Sequence, residues 1–242
     1  LNVNYFHVVF TIPNELNVLC LMNPKFMYRA LFTVSAETIK ELSKDKKYLG
    51  AKIGFTSVLH TWGQNLSLHP HIHMIVPGGG IDSNGKWKSS KKKFFLPVKV
   101  VSKLFKGKFL SYTKKNFDQR KIKDEEQFQN IIDACYSKNW VVYTKKPMKS
   151  AKHVVKYLGR YTHRIAISKA RIKKYEDNKV TFSYKDYSDH NKIKEMTLED
   201  TEFFRRYMMH VLPSNFMKIR HYGFLGNRNK EERIQAIRTA TN

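Results

Sequence analysis

The chain has 242 residues, enough for one large domain or one domain with a sizeable insertion, and its 16 Phe and 13 Tyr supply bulky core material. Lysine and arginine number 45 against 20 acidic residues, a net charge of +25 spread along the whole length, so a polyanionic partner is expected. Nothing approaches the ~18 consecutive apolar residues of a membrane span, and the two widely separated cysteines, Cys20 and Cys135, exclude a disulfide framework and a cysteine-rich zinc module within these residues.

Nucleic acid is the expected partner, ahead of an anionic membrane, because no basic amphipathic anchor stands out. No signal-peptide cleavage site follows the first apolar stretch, and the cysteine usage fits a reducing cytoplasm. The chain opens on Leu1 and not on Met, as one lacking its N-terminal portion would.

Tyr5 to Ile12 reads as a strand stopped by Pro13. A helix is expected over about 23–46, with Phe26, Ala30, Leu31 and Val34 at helical spacing and Ser35 with Thr38 suggesting a cap or break. Residues 52–62 read as a second strand, Gly63-Gln64-Asn65 as a turn, and Leu68 to Val76 as a third strand. Gly78-Gly79-Gly80 reads as a flexible loop; with no Gly-Lys-Ser/Thr after it, it is not a nucleotide-phosphate loop.

The third strand carries His71-Ile72-His73. Strand side chains alternate faces, so the two imidazoles point the same way, and two imidazoles on a rigid strand are half of a metal site. The plainer alternative is a partly exposed histidine pair. The hairpin turn sets residues 54–62 beside this strand, making His60 a candidate third ligand. His69 shares the face of His71 and His73 and competes for that role, although Pro70 could bend the strand between them.

Residues 82–96 form a polar, lysine-rich loop, and helices are expected at about 97–116 and 124–138, then a strand from Trp140 to Thr144 broken by Lys145-Lys146-Pro147. We read 82–149 as a mostly helical insertion. From Ser150 to His163, Val154, Leu158 and Tyr161 fall on one helix face. Tyr157 and Tyr161, four apart, project from neighbouring places on one side, with Lys152, Lys156, Arg160 and Arg164 around them. Taken alone, such a tyrosine pair reads more simply as core aromatics. Strands are expected at 164–168 and 179–187, then a helix at about 198–211 and a basic tail.

These motifs together resemble the HUH superfamily of single-strand endonucleases, and within it the two-tyrosine rolling-circle insertion-sequence transposases. The resemblance rests on Val58-Leu59-His60-Thr61-Trp62-Gly63-Gln64, on Leu68-His69-Pro70-His71-Ile72-His73, and on Val76-Pro77-Gly78-Gly79-Gly80. It continues through Tyr157-Leu158-Gly159-Arg160-Tyr161-Thr162-His163-Arg164, His210-Val211-Leu212-Pro213 and Ile219-Arg220-His221-Tyr222-Gly223-Phe224-Leu225. It runs from about Tyr5 to Leu225 and covers the catalytic region. The N-terminal cysteine-rich zinc-binding module usual in full-length members has no counterpart in it.

The resemblance implies a transposase that nicks and rejoins single-stranded DNA at transposon ends and target through a 5′-phosphotyrosine. Tyr157 and Tyr161 would be the nucleophiles, allowing two successive strand transfers. His71 and His73 would bind Mg²⁺ or Mn²⁺ with His60 as third ligand, His69 or Gln64 being the alternatives. Lys152, Lys156, Arg160 and Arg164 would bind phosphates, and the protein would work in the bacterial cytoplasm at the nucleoid. Rival readings are a plasmid replication initiator or relaxase with the same chemistry, and a non-catalytic nucleic-acid-binding protein with a structural metal. The fold expected is α+β: residues 1–81 begin the nuclease core around a central antiparallel sheet carrying the histidines, flanked by helices. Residues 82–149 are the insertion, 150–197 the tyrosine helix and strands completing the core, and 198–242 a helix and basic C-terminal extension.

Overall fold

A computed structural model describes residues 1, 3–90, 96–118, 122, 124–148, 159 and 166–241. The fold is α+β, as expected. Its centre is a five-stranded, wholly antiparallel sheet built from β1 (Tyr5–Thr11), β2 (Phe55–Trp62), β3 (Leu68–Pro77), β6 (Val142–Met148) and β10 (Ile219–Tyr222), in the order β10-β2-β3-β1-β6. The segment read as an insertion thus supplies one edge strand, β6, and the segment read as a basic tail supplies the other, β10.

One face of the sheet is greasy because Phe6, Val8 and Phe10 of β1 alternate with residues of the opposite face, as do Ile72, Met74 and Val76 of β3. Onto this face pack α1 (Asn17–Met22), α2 (Pro24–Lys44), α3 (Val98–Asn116) and α4 (Glu125–Ser137). Phe105 of α3 meets Phe10 edge-on at 4.8 Å and Trp140 at 5.4 Å, so α3 belongs to the main core. Helix α2 runs unbroken where Ser35 and Thr38 suggested a cap or break. Both hydroxyls bond back to carbonyls of the preceding turn, Phe32 and Val34, and so stay inside the helix.

Two further sheets are smaller. Gly79–Ile81 (β4) pairs with Trp87–Ser89 (β5), which corrects the reading of Gly78–Gly80 as a flexible loop. Glycine is needed there for close packing: a Cβ on Gly79 would lie 2.5 Å from the Trp87 ring, and one on Gly80 2.6 Å from the Lys52 carbonyl oxygen. The third sheet contains β7 (Ile172–Glu176), β8 (Lys179–Asp186) and β9 (Lys192–Glu199), followed by α5 (Asp200–Met208). Of the strand expected at 164–168, residues 164 and 165 lie outside the described residues, 166–168 form no ladder, and pairing in this sheet begins at Ile172. A C-terminal helix, α6 (Lys230–Thr241), ends the described chain.

The third sheet and α5 bury a second core of Ala166, Val180, Phe182 and Phe203. Into it reaches Leu66, from the β2–β3 turn, fully buried and in the left-handed backbone region at φ 62°. Three successive carbonyls of that turn are gripped by this second unit. Arg171 donates to the Gln64 carbonyl, Arg206 to that of Asn65 at 3.4 Å, and His210 Nε2 to that of Leu66 at 3.1 Å.

Candidate metal centre

The face of the central sheet away from the helices carries the histidines. The register sets Val9 and Val58 on either side of His73, and Thr11 and His60 on either side of His71, so these side chains share one face. The ligating atoms of His60, His71 and His73 lie within 4.8 Å of one another. His71 Nε2 and His73 Nε2 are 3.0 Å apart, and the His60 ring lies 4.4 Å from that of His73. Trp62 stacks on His60 at 4.6 Å, with the Lys218 ammonium 5.2 Å from the Trp62 ring centre.

The tautomer of His71 follows from its partner. Its Nδ1 lies 2.6 Å from the His69 carbonyl, which can only accept, so Nδ1 carries the proton and Nε2 keeps a lone pair directed at His73. Burial pushes His71 down to about 4, with a smaller contribution from His69. Burial, then the imidazoles of His71, His60, His7 and His69, lowers His73 strongly. His71 and His73 are therefore neutral at pH 7, the state in which imidazole ligates metal. Among the described residues no carboxylate or thiolate joins it. The three residues fit a divalent cation whose remaining positions are filled by water or phosphate oxygens.

The two alternative third ligands lie differently. Between His60 and Trp62 the pairing slips, so Trp62 faces Leu68 and not His69. Pro70, with no N–H for the ladder, occupies the slip, and His69 sits exposed outside the three-histidine group. The Gln64 amide is turned to the third sheet, where it donates to Tyr187 Oη at 3.4 Å. Tyr157, Tyr161, Lys152, Lys156, Arg160 and Arg164 lie outside the described residues.

The sequence offers His7 and His210 as structural or DNA-facing residues and not as ligands, and the fold brings both to the site's surroundings. His7, buried on β1, bonds through Nε2 to His73 Nδ1 at 2.8 Å. The only local signal for it was a polar residue in phase with Val9 and Thr11 on a buried strand. His210, buried beside Trp62, donates to the Leu66 carbonyl, and its Nδ1 then accepts from the Thr61 hydroxyl at 3.3 Å. No helix among the described residues is long and apolar enough to cross a membrane.

Comparison with known proteins places this geometry in a family. Residues 54–233, more than half of the chain and including all three clustered histidines, match the family Y2_Tnp, described as "Putative transposase". "Putative transposase y4qJ" of Sinorhizobium fredii is 43% identical over 98% of this chain and 62% of its own length. The "Transposase for insertion sequence element IS801" of Pseudomonas savastanoi pv. phaseolicola is 31% identical over 92% of this chain and 54% of its own. The chain thus spans less than two thirds of either relative. Among solved structures, the metal-free conjugative relaxase TrwC in complex with oriT DNA aligns over 97% of this chain and 71% of its own, at 9% identity and a TM-score of 0.36. The chain belongs to the Y2_Tnp transposase family.

Proposed function

We propose that this protein nicks and rejoins single-stranded DNA at the ends of a mobile element and at its target, by rolling-circle transposition through a 5′-phosphotyrosine. The observation that carries the reading is the convergence of His60, His71 and His73 on one sheet face, their ligating atoms within 4.8 Å of one another, in a Y2_Tnp family member. The two relatives named as transposases, one of them for an insertion sequence, support the biological setting.

In this reading the three imidazoles hold Mg²⁺ or Mn²⁺, which when bound polarises the scissile phosphate as a Lewis acid. A Tyr157 or Tyr161 hydroxyl attacks the phosphorus. The Oη–P bond forms, the P–O3′ bond breaks, the tyrosine proton passes to solvent, and the departing O3′ takes one proton from solvent to leave a free 3′-OH. The linkage conserves the phosphodiester energy, so rejoining by a 3′-OH needs no nucleotide cofactor. Tyrosine, with an ordinary pKa of about 10, is a poor nucleophile at neutral pH, which is why phosphate activation matters. Lys152, Lys156, Arg160 and Arg164 bind the flanking phosphates, and the excess of 25 positive charges draws the strand in.

The test is a labelled single-stranded oligonucleotide of the element's end incubated with Mn²⁺ or with EDTA. A covalent protein–DNA adduct is expected with Mn²⁺ only, and Tyr157→Phe combined with Tyr161→Phe should abolish it. An adduct that survives both changes overturns the nucleophile assignment. Absence of adduct on every end sequence, with zinc tightly retained, would mark a nucleic-acid-binding module with a structural metal.

A further inference from the structure

We propose that His7 is the positioning residue of the metal centre: it holds His73 in the ring orientation and tautomer that ligation requires. The inference rests on the metal-binding reading above. His7 Nε2 and His73 Nδ1 are 2.8 Å apart, the rings are parallel to within 6°, and their centroids are 5.0 Å apart. An N···N separation so much shorter than the centroid separation puts the two rings end to end in nearly one plane. That is the geometry of a nitrogen-to-nitrogen hydrogen bond and not of face-to-face stacking. The sheet register sets it up: Val9 lies opposite His73 and His7 opposite Ile75, so His7 reaches its partner diagonally across the shared face.

Proton placement gives His7 a specific task. The His69 carbonyl fixes the His71 proton on Nδ1, which leaves a lone pair on His71 Nε2, 3.0 Å from His73 Nε2. With no cation present, His73 Nε2–H donates to that lone pair. His73 Nδ1 must then accept, and His7 donates from Nε2. Once both Nε2 atoms ligate, His73 carries its proton on Nδ1 and the bond reverses, with His7 Nε2 accepting. Each ring loses a proton at one nitrogen and gains one at the other through solvent, with no net proton change. Imidazole can serve on both sides of this reversal; a carboxylate, which only accepts when ionised, could serve on one.

The full chain is titrated with MnCl₂ alone by calorimetry, as wild type, His7→Phe (ring volume kept, nitrogens removed) and His7→Gln (an amide that can accept or donate at similar reach). We expect His7→Phe to weaken Mn²⁺ binding by roughly 10–100-fold and His7→Gln to recover most of it. In wild-type protein, ¹⁵N spectra of the histidines should show His7 changing from the Nε2–H to the Nδ1–H tautomer on loading with Zn²⁺. Unchanged Mn²⁺ affinity in a folded His7→Phe protein overturns the inference. So does a His7 tautomer that does not respond to Zn²⁺, a result that needs no variant to fold. A wild-type protein that binds neither cation overturns the metal-binding reading itself.

Discussion

Leu66 offers a quantitative test of how the β2–β3 turn is held. Its side chain is fully buried in the small second core, at φ 62°. Leu66→Ala removes buried methyl and methylene groups from a cluster with few other members, and should cost about 3 kcal/mol in unfolding free energy, within the usual span of about 2–5. Leu66→Gly loses one further buried carbon, worth about 0.8 kcal/mol, but relieves a left-handed backbone that costs a non-glycine residue about 1 kcal/mol. The two effects nearly cancel, so Ala and Gly should fall within about 1 kcal/mol of each other. Urea unfolding followed by circular dichroism measures both. Mn²⁺ calorimetry on the same proteins should show weakened binding, because His60 and His71 flank the loosened hairpin. A Leu66→Ala cost under about 1 kcal/mol, or a glycine variant worse than alanine by more than about 2 kcal/mol, would refute the packing or the strain argument respectively.

Two further outcomes are expected. In metal-free protein, His71 is lowered to about 4 and His73 further, while an unfolded histidine titrates near 6.5, so on acidification the unfolded state takes up protons first. Stability should therefore fall as pH drops from about 6.5 toward 4, by up to about 1.4 kcal/mol per pH unit for each histidine, and a melting temperature that rises over that window would contradict the burial of the cluster. At Gly223, where φ is 61°, a Cβ would lie 1.8 Å from the Ile53 carbonyl oxygen. Gly223→Ala should cost about 3 kcal/mol or more and detach β10 from β2, read as a large fall in melting temperature.

What could be read from the chain itself was whatever depends on near neighbours. Alternation placed His71 and His73 on one face, and the short Gly63-Gln64-Asn65 turn carried His60 across to them. The slip at Pro70 was not legible in full, because a bulge depends on which ladder bonds the partner strand can offer; it leaves Trp62 opposite Leu68 and not His69. Gly78–Gly80 looked loose because the Trp87 ring and Lys52 carbonyl that demand glycine are supplied from elsewhere. His7 looked incidental because its partner lies 66 residues away. Strand β10 hid in a basic tail for the same reason: among the described residues its ladder is with β2.

The grip on the β2–β3 turn has a consequence for when the site comes into being. The hairpin bearing His60, His71 and His73 is complete by Pro77, yet Arg171, Arg206, His210 and β10 all come from the last third of the chain. At ordinary ribosomal speeds of about 5–20 residues per second, the three histidines would wait on the order of ten seconds for the residues that hold their turn. Until then the histidines hang on a hairpin with unsatisfied turn carbonyls and an exposed Leu66. The three-histidine face is thus complete in sequence long before the residues that hold its turn are made, and a chain cut short before Arg171 would carry these histidines without that support.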